Sequence, residues 1–331
     1  MTGSTFVHQQ AAHCESGAAS ALLRHHGLPY SEAMVFGLSS ALSFAYIPII
    51  KINELPLIAY RMPPRFIVKG LKNLLRLPLR FETFRDPTRG LTRLNELIDQ
   101  GKLVGLQTSV FFLPYFPVNM RFHFNAHNLL AYGRDGDELL LSDPVFEHGK
   151  RCSATELQKA RFVRGVLAPK GLLYHIDGDI PPVDIQPMLP KAIKKTCNIM
   201  LYTPLPFVGA RGIKFLGNRV LKLQGKYDEL YTRRYVGHIV RMQEEIGTGG
   251  AGFRFLYAAF LQEAAALSGK TDWQTLAQQL TTIGDQWREF ALHAARMAKG
   301  RSAIDLPLLA QHLFALSEQE TLFFRALRKT V

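Results

Sequence analysis

The chain has 331 residues, 47% of them hydrophobic, and a formal net charge of +13. That is enough apolar material for one large or two ordinary domains with a real core, which excludes a disordered chain. Three cysteines, Cys14, Cys152 and Cys197, exclude a disulfide framework; no positively charged start with an apolar stretch and cleavage site is visible, so a cytoplasmic location is expected, with room for peripheral contact with the inner membrane.

Cys14 lies in His13-Cys14-Glu15-Ser16-Gly17, directly before Ala18, Ala19, Leu22 and Leu23, whose spacing is that of one helix face. The thiol therefore falls at a predicted helix N-terminus, where unpaired N–H groups and the positive dipole end favour thiolate. The uncharged stretch Ala33 to Ile50 has 18 residues, but Gly37, Ser39, Ser40, Ser43 and Pro48 interrupt it. A buried helix-turn segment is expected there, and no transmembrane helix.

Arg61, Arg65, Lys69, Lys72, Arg76 and Arg80 then recur every three or four residues, while Pro63, Pro64 and Pro78 confine a helix to about Arg65 through Leu77. The window Arg61 to Arg93 is net +7 and the window Lys191 to Arg241 net +9, so the rest of the chain is net acidic by three. Such clustering implies an anionic partner. Arg65, Lys69, Lys72 and Arg76 are either a solvated helix face or a docking surface for an acidic carrier protein or anionic lipid.

Val104 to Phe112, Ala126 to Tyr132 and Glu138 to Ser142 read as strands, the last two joined by the turn signal Asp135-Gly136. A hairpin of this kind makes neighbours of the residues at its far ends, His127 and Asp143. An aspartate on one imidazole nitrogen fixes the tautomer and leaves the other nitrogen to take a proton from a thiol. Cys14, His127 and Asp143 each have an ordinary structural reading alone. Together, in the order Cys, His, Asp with the cysteine heading an N-terminal helix, they have the papain-like layout and point to catalysis. His123 is a rival base with a poorer register to Asp143.

After Tyr174-His175-Ile176, the segment Asp177 to Pro182, followed by Pro187 and Pro190, reads as a linker. It divides the chain into an α+β domain over 1–180 and a mainly helical domain over 188–331. In the latter, Phe253, Leu256, Tyr257, Phe260, Leu261 and Ala264 hold helical spacing. Thr271 with Gln274 resembles a capping box opening a second helix with Trp273, Leu276, Leu280, Ile283, Trp287, Phe290 and Ala294 buried. A third starts near Pro307 and carries Leu309, Leu313, Leu316, Phe323 and Leu327. Arg211 to Lys226 is a second basic amphipathic segment that could lie on a membrane. Nucleic acid is disfavoured because no binding motif is visible and aromatics do not interleave with the charges. No metal is expected, since the histidines are scattered and no Cys-x-x-Cys or His-Glu-x-x-His appears.

His13 to Ala19, Gly27-Leu28, Ser31 to Leu38 and Phe44-Ala45-Tyr46 together resemble the N-terminal domain of the butirosin biosynthesis protein H family. Gly249 to Tyr257 with Phe260 to Ala264 is similar to the helical domain that often follows in that family. The resemblance implies a fold related to bacteriocin-leader peptidases and a cysteine that takes an acyl group from an acyl carrier protein and passes it to an amine. Papain-like enzymes usually place a glutamine six residues before the cysteine as oxyanion donor; here that position is His8. The Cys14 N–H is expected to supply one donor and Gln9 or His8 the second.

The function expected is an acyltransferase that moves an acyl group from an acyl carrier protein thioester, through Cys14, to an amine or hydroxyl of a small molecule or lipid. No permanently bound cofactor is expected; the carrier's phosphopantetheine is the donor arm. The helical domain would serve as a lid or partner-binding element, and Met34 to Ile50 would line an acyl tunnel or be plain core. The alternative is a cysteine hydrolase, thioesterase or peptidase, with the same triad; a catalytically silent adaptor is the reading from another class.

Overall fold

A computed structural model describes residues 6–52 and 54–331. In chain order its elements are α1 (Cys14–His25), α2 (Glu32–Leu38), β1 (Leu42–Ile52), β2 (Leu55–Arg61), α3 (Phe66–Leu75), β3 (Leu79–Glu82), α4 (Pro87–Asp99) and β4 (Val104–Thr108). There follow β5 (His127–Asp135), β6 (Glu138–Ser142), β7 (Lys150–Ser153), α5 (Ala154–Phe162), β8 (Leu173–Ile176) and α6 (Leu189–Tyr202). The remainder is helical: α7 (Gly209–Leu221), α8 (Glu229–Val240), α9 (Arg254–Ser268), α10 (Thr271–Ala298) and α11 (Leu306–Lys329). The fold class is α+β with a helical C-terminal region. Among the described residues no helix is long and apolar enough to cross a membrane.

The chain forms two compact units, one of 6–35 with Pro64–Val183 and one of Phe36–Pro63 with Asp184–Val331. The division after Val183 comes just past the Asp177 to Pro182 segment. The excursion Phe36–Pro63 was not read from the sequence: it leaves the first unit and belongs to the helical one.

The first unit is built on a six-stranded antiparallel sheet in the order β3-β8-β4-β5-β6-β7. Alternate residues of the central strands, among them Val104, Leu106, Leu129, Ala131, Leu139, Leu141 and Leu173, meet Leu94, Leu97 and Ile98 of α4 and Leu157 and Ala160 of α5 in one buried core. Period-two alternation puts these side chains on one face, and the residues between them, such as Leu130, are buried as well. Helix α1 packs on β5 and β4 and touches α3. Local chemistry sets the ends: Asp86 caps α4 with Pro87 in its first turn, and Ser153 caps α5. The strand expected over Val104 to Phe112 ends at Thr108, where the chain turns into a single 3-10 turn over Val110–Phe112.

In the second unit β1 and β2 form an antiparallel hairpin. The Ala33 to Ile50 stretch is therefore helical only through Leu38 and then extended, with Ile49 88% exposed. Helix α10 packs on α8, α9 and α11, and α11 packs on α7 and α6. The expected stripes of α10 and α11 are buried. Thr271 is not the cap of α10 but its first residue; Lys270 holds the N-cap position and makes no side-chain cap bond. The apolar face of the basic segment after Arg211 is turned inward: Ile213, Leu216 and Val220 of α7 are fully buried, and Gly217 lies against Phe314 of α11.

Candidate active site

The first turn of α1 is anchored from outside the helix. His13 is its N-cap and accepts from the Ser16 N–H through Nδ1. Glu32 accepts from the backbone N–H groups of Ala12 and His13, each at 2.8 Å, and from the Ser16 hydroxyl at 2.8 Å. A glutamate from α2 thus performs the backward half of a capping box that ordinarily comes from the helix itself. Glu15, fully buried beside the cysteine, accepts from the N–H groups of Ile67 and Val68 at 3.0 and 3.4 Å. That carboxylate caps α3, whose own N-cap residue Arg65 has φ 71° and no side-chain cap bond. Cys14 is held between these two anchors.

His127 starts β5, opposite Thr108 of β4, and Asp143 follows the last residue of β6. The hairpin register, with one irregularity between Ala131 and Gly133, brings them together. His127 Nε2 lies 2.7 Å from Asp143 Oδ2, with both side chains buried. Nε2 donates to the carboxylate, which leaves Nδ1 for a second partner, and Cys14 lies near enough to favour the charged ring. Burial opposes charge on the ring, but the Asp143 charge and hydrogen bond, with Cys14 adding to them, raise the His127 pKa to about 10. A buried thiol, an imidazole that holds its proton strongly and a buried orienting carboxylate can together form and discharge a thioester.

Asp143 is itself fixed. Its Oδ1 accepts from the Val145 N–H at 3.1 Å, and its Oδ2 accepts from the Tyr115 hydroxyl at 2.9 Å. The following residue, Pro144, accepts from the Ala11 N–H at 2.9 Å, tying the aspartate's turn to the segment that leads into Cys14. Gly17 makes that approach possible: a Cβ there would stand 2.6 Å from Ala11 Cβ and 2.8 Å from Pro144 Cβ. Gly17→Ala is accordingly expected to push Pro144, and Asp143 with it, off α1. The expected cost is about 1–3 kcal/mol of stability, with a larger proportional loss of Cys14 reactivity, read by denaturant unfolding alongside alkylation rate. Full reactivity with unchanged stability would contradict it.

The remaining expected site residues lie elsewhere. His8 is committed on both ring nitrogens, Nε2–H donating to the Phe146 carbonyl at 2.9 Å and Nδ1 facing the Ser142 hydroxyl at 2.7 Å, so it has no N–H left for an oxyanion. Gln9 is exposed, its carboxamide oxygen taken by Arg24. His123 stacks on Phe111 with ring centroids 4.1 Å apart. Arg65, expected on the docking stripe, is engaged within the unit: its Nε donates to Gln107 Oε1 at 2.7 Å and a terminal nitrogen to the Pro169 carbonyl. Lys72 lies over the Phe81 ring, while Lys69 and Arg76 are exposed. Arg80 pairs with Asp177 at 2.6 Å, and Arg61 belongs to β2 of the other unit. Among the described residues no group of three or more His, Cys, Asp or Glu could hold a metal ion.

Tyr115, Glu15 and Glu32 were missed. Tyr115 gave no local signal, since its partner is 28 positions away. Glu15 had one, an acidic residue in a helix first turn, but its burial and the helix it caps are tertiary facts.

The family model for butirosin biosynthesis protein H, N-terminal, matches residues 13–144, and that for a domain of unknown function (DUF4872) matches residues 155–327. No curated protein matches. A solved structure described as a C39-like peptidase from Bacillus anthracis is similar at 11% identity with a TM-score of 0.38, over 53% of this chain and 96% of that one. The chain belongs to a butirosin biosynthesis protein H-like family with two domains, the N-terminal one matched over residues 13–144 and the DUF4872 domain over residues 155–327.

Proposed function

We propose that this protein is an acyltransferase that draws its acyl group from an acyl carrier protein. The observation that carries the reading is the Cys14–His127–Asp143 constellation on a buried site. Cys14 sulfur attacks the carrier's thioester carbonyl, the pantetheine thiol leaves with the proton held by His127, and the acyl group rests on Cys14 as a new thioester. An amine or hydroxyl acceptor then attacks that thioester, gives its proton to His127, and Cys14 departs as the leaving group. Support for a carrier-borne donor comes from the net charge of +13 and from Lys69 and Arg76, which stay exposed on the first unit. Support for biosynthetic transfer comes from the family.

Intact-protein mass spectrometry after mixing with loaded acyl carrier proteins tests it. An adduct of the acyl mass is expected on the wild type, absent in Cys14→Ala and discharged faster when an amine is added. No adduct with any donor, or one that persists in Cys14→Ala, would sink the proposal. Discharge at one rate with and without acceptors would identify a thioesterase instead.

A further inference from the structure

Asp143 Oδ2 is shared by two donors, His127 Nε2 at 2.7 Å and the Tyr115 hydroxyl at 2.9 Å. Tyr115 comes from the segment between β4 and β5. Its ring is packed against Phe116 and Phe146 with centroids 5.4 and 5.5 Å apart, and Arg121 binds the carbonyls of Pro114 and Phe116 on either side. The hydroxyl is therefore delivered by a braced turn. Phe116 in turn meets the His127 ring edge-on at 5.4 Å, so the same turn touches both members of the pair.

A donor on a carboxylate oxygen draws negative charge toward itself, and what it takes is lost to the second donor on that oxygen. We propose that Tyr115 is a positioning residue that fixes Asp143 and limits how strongly Asp143 holds the proton on His127. This builds on the proposed thioester chemistry. A proton held without limit could not be given to the departing pantetheine thiol, and one held too weakly would leave no acid to give. Burial and the neighbouring Asp143 charge keep the Tyr115 hydroxyl protonated, far above the usual tyrosine range, so it remains a donor throughout.

The other titratable groups around this cluster are few. Cys14 faces His127 from α1, Tyr174 on β8 is within electrostatic reach of Glu15 and of Cys14, Arg65 is within reach of Glu15, and Cys152 on β7 is within reach of Tyr115. His8 binds the Phe146 carbonyl, and Lys150 Nζ sits 4.4 Å from the Phe146 ring centroid. Burial pushes the Cys152 and Cys197 thiols up to about 12, which keeps both from competing for the reagent at ordinary pH.

The test is the pH dependence of Cys14 alkylation by iodoacetate, followed by intact mass. The reagent is an anion, so its rate falls at high pH as His127 loses the positive charge that attracts it. Tyr115→Phe keeps the ring and removes the hydroxyl. The high-pH limb is expected to move upward by about one pH unit, roughly tenfold in the imidazolium-to-imidazole ratio, while the plateau rate changes by less than about threefold. A fluorinated tyrosine at 115, with a more acidic and stronger donor, is expected to move the limb downward with the fold intact. A limb that stays fixed, or shifts the same way in both variants, overturns the inference. No acyl donor enters this measurement, so its result stands apart from that of the adduct experiment.

Discussion

His127→Ala is expected to slow acylation of Cys14 by roughly a thousandfold to ten-thousandfold, with Cys14→Ala removing it altogether. The imidazole is the group placed to exchange a proton with the thiol, and the alanine leaves Asp143 buried with one of its donors gone. The two changes act on one unit of chemistry, so His127→Ala added to Cys14→Ala is expected to cost nothing more in residual turnover. Asp143→Asn is expected to fall short of the histidine change in single-turnover acylation, because a carboxamide still orients the ring while its charge is lost. The histidine also leaves a mark on stability. Its folded pKa of about 10 lies above the ordinary 6.5, so its contribution is fully present below 6.5 and is lost as pH rises through about 10. The stability gap between wild type and His127→Ala is expected to be widest below pH 6.5 and to close toward pH 10. A gap that widens with pH would mean that the ring is held neutral.

How much of this site the sequence disclosed follows from range. Cys14 announced itself through its own helix, and His127 and Asp143 through the hairpin around Asp135-Gly136, since turn chemistry fixes which strand ends meet. What escaped was side-chain choice among distant partners. His8 and Gln9 stand near enough to Cys14 in sequence to be expected as oxyanion donors, yet His8 is drawn to Ser142 and Phe146, and Gln9 to Arg24. Arg65 had the spacing of a basic stripe, but it sits one residue before α3 with φ 71°, and that backbone turn aims its guanidinium inward at Gln107. Periodicity predicts a direction only inside the helix. Within the second unit, long periodic helices were legible because each buries one stripe, whereas the Phe36–Pro63 hairpin has no periodicity that says which unit will receive it.

That unit also carries the largest expected stability effect. Arg254 and Glu320 are both fully buried; Arg254 Nε and a terminal nitrogen meet the two carboxylate oxygens at 2.8 and 2.9 Å, and the Trp287 indole N–H donates to Glu320 Oε1 at 2.7 Å. The third guanidinium nitrogen donates to the Gly252 carbonyl at 2.7 Å, within a left-handed run from Gly249 to Phe253. Gly252 lies so close under Tyr60 that a Cβ would come within 2.2 Å of its ring. Glu320→Ala strands a buried cation and an indole N–H at once. It is expected to cost about 3–5 kcal/mol, read as a fall in denaturant midpoint at unchanged slope. Arg254→Met combined with Glu320→Leu removes both charges and fills the space, leaving only the Trp287 N–H and the Gly252 carbonyl short of a partner. The double variant is expected to be more stable than Glu320→Ala alone, because a buried ion pair owes most of its apparent strength to the penalty of breaking it singly. Strictly additive losses from the two positions would show instead that Arg254 and Glu320 do not depend on each other.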